Sequence, residues 1–143
     1  MSRYELRLLL DSWGLMVDLD LSVHPADRKP TVGIPVATSA WLVISESVNL
    51  TASELPHVLS ALRRVAPRLQ ERYAADSGEL IFTLDHLWYP LTDSQDDAIE
   101  LAVAGWAVEQ LGIDADPARV TFDRAANAYV ITFDKDMWKS GRG

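Results

Sequence analysis

Residues 15–23 alternate without a break, with Leu15, Val17, Leu19, Leu21 and Val23 on one side and Met16, Asp18, Asp20 and Ser22 on the other. A period of two marks a strand with one dry face and one wet face, which is stable only when neighbouring strands flank it and apolar surface covers its dry side. The preceding run, Tyr4 to Leu10, is apolar except for Glu5 and Arg7 and is joined to the alternating segment by the turn-like Asp11-Ser12-Trp13-Gly14, so the two are expected to form a hairpin. Everything downstream has to complete that sheet and cover it.

The composition allows this. A chain of 143 residues with 48% apolar and 24% charged side chains can bury a core without disulfide or metal staples, and one domain over residues 1–143 is expected, fraying from about Met137. There is no cysteine, which removes disulfides, thiolate metal sites and cysteine nucleophiles together. No apolar run reaches membrane-spanning length and the first residues do not read as a signal peptide, so a cytoplasmic, non-membrane protein is expected. The richness in arginine over lysine and in alanine adds a bacterial flavour.

After a polar, proline-bounded loop at His24–Pro30, Pro35 argues against a central strand over 31–36, and a third strand begins near Ala40 and runs to Ile44. Thr51-Ala52-Ser53-Glu54 is a capping box that starts a helix. Its buried stripe is Leu55, Val58, Leu59, Leu62, Val65, Ala66, Leu69 and Tyr73, and Pro67 is expected to kink or split it. Gly78 opens a central strand whose strict alternation would place Leu80, Phe82, Leu84, His86 and Trp88 on one face. Thr92-Asp93-Ser94-Gln95 supplies caps for a second helix ending at Leu111 before Gly112. That helix has no continuous polar face, so it needs cover on more than one side, from the chain's own loops, a second copy or a partner. A hairpin of 119–123 and 128–134 closes the chain, with Asn127 suited to a left-handed turn position. The expected class is α+β, a mixed or antiparallel sheet with two helices on one face, in the order β-β-β-α-β-α-β-β.

Tyr89-Pro90-Leu91-Thr92-Asp93-Ser94, followed by Ala98-Ile99 and Ala102, resembles the strand-to-helix signature of domain IV of elongation factor G, over about residues 79–112. The resemblance implies the ribosomal protein S5 domain 2-like fold. The family's histidine falls on Pro90 in this chain, so the resemblance implies the fold without the contact that the family makes at the ribosome.

Charge is placed unevenly. Residues 1–75 hold eight acidic and eight basic side chains, whereas 76–143 hold thirteen acidic and five basic and carry the entire net charge of −8. Such a field repels phosphate backbones and anionic membranes and steers basic partners, so neither nucleic acid nor membrane is an expected ligand. Chemistry-bearing patterns are sparse: there is no phosphate-binding glycine loop, nucleophile elbow or zinc motif, and no cofactor or metal is expected. Asp93, Asp96, Asp97 and Glu100 lack the spacing of a calcium loop and suit the first turn of a helix. The leading reading is a non-catalytic, acidic, protein-binding domain that covers a basic partner, as a small inhibitor or immunity-type protein does, contacting it through Trp88, Tyr89, Asp93, Asp96, Asp97 and Glu100. The alternative is a small enzyme with an acid–base site at the strand ends, from Asp85 or Asp93 with His86. A homodimer through the second helix is compatible with either.

Overall fold

The computed structural model of the chain describes residues 3–10, 14–73, 78–89, 95–113 and 118–133. Trp13, Trp138, the tail from Met137, Asp134, and residues 90–94 of the domain IV-like signature lie outside the described residues, Asp93 among them. In chain order the elements are β1 (Arg3–Leu9), β2 (Gly14–Ala26), β3 (Ile34–Ala37), β4 (Ala40–Ile44), α1 (Leu55–Arg72), β5 (Glu79–Trp88), α2 (Ala98–Leu111), β6 (Ala118–Asp123) and β7 (Ala128–Phe133). The first five strands form one sheet in the order β1-β2-β5-β4-β3, parallel between β4 and β5 and antiparallel elsewhere. Two helices on one face of a mixed sheet is the expected class, with one strand more than expected. That strand, β3, takes an outer position, where the missing N–H of Pro35 is tolerated.

Strand β2 also runs further than its prolines suggested. It continues through Pro25, opposite Leu80, to Ala26, opposite Glu79. Pairing with β1 stops at Asp20, so at Pro25 only one flank of β2 is in the ladder and no second hydrogen bond is lost. The dry face is as expected, with Leu15, Val17, Leu19 and Leu21 all buried.

On β5 the expected faces need correction. Leu84 is opposite Leu21 but His86 is opposite Asp20, so Asp85 is an extra residue that shifts the register. A bulge of this kind reverses the alternation beyond it. Leu80, Phe82 and Leu84 are buried, Leu87 takes over the inward position opposite Leu19, and His86 and Trp88 turn to the polar face.

Before α1, Thr51 and Glu54 make the reciprocal bonds of a capping box: the Glu54 amide donates to Thr51 Oγ1 (3.2 Å) and the Thr51 amide to Glu54 Oε1 (2.9 Å). The helix itself starts one turn on, at Leu55, and runs as one element through Pro67. Pro67 and Arg63, whose carbonyl it deprives of a donor, are both exposed, so the break in the hydrogen-bond ladder falls away from the core. Gly112 ends α2 in a left-handed conformation (φ 64°) as its place in the sequence suggests, and Arg72 Nη1 reaches the Leu111 carbonyl (2.7 Å).

Much of the cover for α2 comes from its own chain, although Val108 stays exposed. Ala98, Ile99, Ala102, Val103, Trp106 and Ala107 are buried, and Trp106 meets Phe82 edge-on with ring centroids 6.4 Å apart. The β6–β7 hairpin, turned by Asn127 (φ 54°), brings Tyr129 into the same core, where Gln95 grips it from both sides: Gln95 Nε2 donates to the Tyr129 carbonyl (2.9 Å) and Gln95 Oε1 accepts its amide. The Tyr129 hydroxyl in turn accepts the Leu10 amide (2.9 Å). Among the described residues, no helix is long and apolar enough to cross a membrane.

Close approach of α2 to β1 depends on Gly105, where a Cβ would stand 2.2 Å from the hydroxyl oxygen of Tyr4. Gly105→Ala is expected to destabilise the fold by about 1–3 kcal/mol through overpacking, despite alanine's better helix propensity. Adding Tyr4→Leu should recover part of that loss in urea unfolding, and no recovery would count against this contact.

Candidate functional site

Four of the residues read from the sequence as contacts lie in or beside a seam between α1 and α2. Glu100 is only 12% exposed and is shared by His57 Nδ1 (2.6 Å) and Arg64 Nη1 (2.9 Å), both from α1. The Arg64 guanidinium also stacks on Phe133, 3.9 Å from the ring centroid. Tyr89, leaving the end of β5, donates its hydroxyl to Glu54 and lies 3.2 Å from Asp96 Oδ1. A phenol has one hydrogen to give, and Glu54 is the nearer of its two carboxylate neighbours. Burial first, then the hydrogen bond and charge of Glu54 and the nearby Asp96, push the Tyr89 phenol well above its ordinary pKa. Asp97 Oδ1 accepts from Gln95 Nε2 (2.9 Å). The structure thus brings Tyr89, Asp96 and Glu100 into one polar seam, with Asp97 beside it, and engages all four within the chain.

Trp88 stands apart from them. Across the bulge it is turned onto the helix-free face of the sheet, opposite Asp18, and is 49% exposed. Beside it, Arg3 forms a two-point contact with Asp18 (Nε–Oδ1 3.2 Å, Nη2–Oδ2 2.8 Å), and His86 Nε2 lies 3.6 Å from Asp18 Oδ2. Asp20 occupies the next outward position of β2, opposite both Arg3 and His86. The Arg3 hydrogen bond holds the Asp18 carboxyl below the usual carboxylate range; partial burial opposes this, and the charges of Arg3 and His86 add to it.

This cluster of Asp18, Asp20, His86 and Trp88 was hidden from a strand-by-strand reading. The polar half of the 15–23 alternation was its signal, but the register shift that delivers His86 and Trp88 to it has no marker in the sequence. Asp85 and His86 do not form an acid–base pair: Asp85 accepts from the Ser45 hydroxyl, whereas His86 faces Asp18. A hollow of about 100 Å³ lined by Ser39, Gln70, Tyr73, Gly78, Glu79 and Leu80 lies at the opposite end of β5 and is well below the size of ordinary substrate pockets. Among the described residues, no three His, Asp or Glu side chains are grouped to hold a metal ion.

Two outcomes follow from this geometry. Glu100→Ala leaves His57 and Arg64 without their shared carboxylate and is expected to cost about 3 kcal/mol in urea unfolding, the scale of breaking a mostly buried pair. For Asp18, a folded pKa below the unfolded value of about 4 means that its contribution is complete at neutral pH and is lost as the pH falls through the depressed folded value. Asp18→Asn should therefore be less stable than the native chain by at most about 1 kcal/mol at pH 7, and the gap should close towards pH 2. A gap independent of pH would show that the Arg3–Asp18 contact does not titrate in this way.

No protein-family model matches the chain, and no curated protein matches it either.

Proposed function

We propose that this protein is a non-catalytic, cytoplasmic binding domain that docks a basic protein on the helix-free face of its sheet, around Trp88. The observation that carries this reading is the composition of the two middle strands. β2 and β5 contribute Asp18, Asp20, Glu79 and Asp85 and contain no lysine or arginine, and an exposed tryptophan sits at their end. A large aromatic anchor beside carboxylates suits a partner that presents basic side chains around an apolar pocket.

The net charge of −8 would steer such a partner from a distance, and the sheet would hold the anchor rigid. Tyr89, Asp96, Asp97 and Glu100, engaged inside the chain, then act as the support behind the face and are not its contacts. A small inhibitor of the immunity-protein kind, covering a basic toxin, is the form of this function that the charge pattern favours.

Tagged protein incubated with lysate of the native host should retain one basic protein at low salt and release it at high salt. Trp88→Ala and Asp20→Lys, both on the outer face, are each expected to weaken that complex by about tenfold or more in a titration with the purified partner. Undiminished affinity in both variants would refute the docking face. Equal loss in Glu109→Lys, a charge on α2, would reduce the effect to net charge alone.

A further inference from the structure

The two outer strands of the sheet are built differently. β3 has four residues and contains Pro35, a combination that discourages further strand pairing. β1 has seven residues, no proline and an unshifted ladder, and among the described residues it pairs with β2 alone. Gln110 Nε2 takes the Arg3 carbonyl (3.2 Å) and the Tyr129 hydroxyl takes the Leu10 amide just beyond the strand, so these two contacts involve only the ends of this segment.

Charge along β1 selects what that strand can be. Arg3, Glu5, Arg7 and Leu9 alternate with Tyr4, Leu6 and Leu8, and the first set is exposed on the outer face. We propose that β1 pairs antiparallel with β1 of a second copy, on a two-fold axis through Leu6, to make a continuous sheet across a homodimer. In that register Glu5 of each copy faces Arg7 of the other, twice over, while Leu6 meets Leu6 on the helix side.

Competing registers are penalised by the same residues. Centring on Glu5 sets Glu5 against Glu5 and Arg3 against Arg7, centring on Arg7 sets Arg7 against itself, and a one-residue slip puts charges opposite leucines on the wrong face. Within one chain Arg7 already holds Glu5 (2.9 Å), so both groups are positioned at the edge, and sharing them across the axis needs no rearrangement of the fold. Leu9, at 69% exposure, and Val108, at 51% on the helix that lies over β1, are apolar surface close to this edge.

Sedimentation velocity on the full chain across a concentration series tests the pairing. The native chain is expected to dimerise reversibly, and Glu5→Arg or Arg7→Glu alone should raise the dissociation constant by about tenfold or more, because each turns two attractions into two repulsions. The double exchange Glu5→Arg with Arg7→Glu keeps the pattern complementary and should restore the dimer, with circular dichroism unchanged in all three variants. A chain that stays monomeric at every concentration overturns the proposal. So does a dimer indifferent to both single reversals; if Val108→Glu disperses that dimer, the contact belongs to α2 instead.

Discussion

Strand β2 is paired along both flanks for part of its length, and its period-two pattern decides which side of the whole sheet is dry. Leu15, Val17, Leu19 and Leu21 each bury a side chain worth roughly 1.5–3 kcal/mol, whereas a slip of one residue would send Met16, Asp18, Asp20 and Ser22 into the helices. No such slip is affordable, so β1 and β5 must register against it, and the helices have one face on which to lie. The position of α1, packed between the parallel β4 and β5 in sequence, and of α2, close against β1 through Gly105, follows from that choice.

The bulge at Asp85 breaks this regularity between β2 and β5, and it is placed where it matters. On the near side of it β5 behaves as a central strand of the core. Beyond it, the strand continues pairing with β2 but with its faces exchanged, so Leu87 fills the inward position and a histidine and a tryptophan are delivered beside Asp18 and Asp20. An unbroken β5 would have turned Trp88 towards the core and left the Asp18 end of the polar face without its tryptophan. Bulges commonly re-aim side chains in this way next to sites of function.

On the opposite side of the sheet, polar groups are used as structure. Glu100 ties α1 to α2 through His57 and Arg64, Tyr89 joins the end of β5 to Glu54 and Asp96, and Gln95 holds the β6–β7 hairpin as a neighbouring strand would, giving and taking one backbone bond. These contacts orient elements whose apolar faces alone would allow several packings. They also tie the acidic start of α2 into the fold: Asp96, Asp97 and Glu100 are each engaged, by groups from β5, from the residue just ahead of α2 and from α1 respectively.

By itself the sequence determined the elements and their class, because periodicity, capping and turn chemistry act over a few residues. The alternation of 15–23, the Thr51–Glu54 box, the Gly112 stop and the Asn127 turn are local signals, and each element they mark is present, although the box sits one turn ahead of α1. Local signals failed where a neighbour's geometry intervened. Pro25 is accommodated because β1 ends before it, Pro67 because it faces outward, and β3 exists because β4 offers it an edge. Which acids are surface and which are seam was likewise decided only in three dimensions: Glu100 meets residues more than thirty positions away, and Trp88 owes its exposure to a register shift. A register is a property of two strands together, and neither strand's sequence contains it alone.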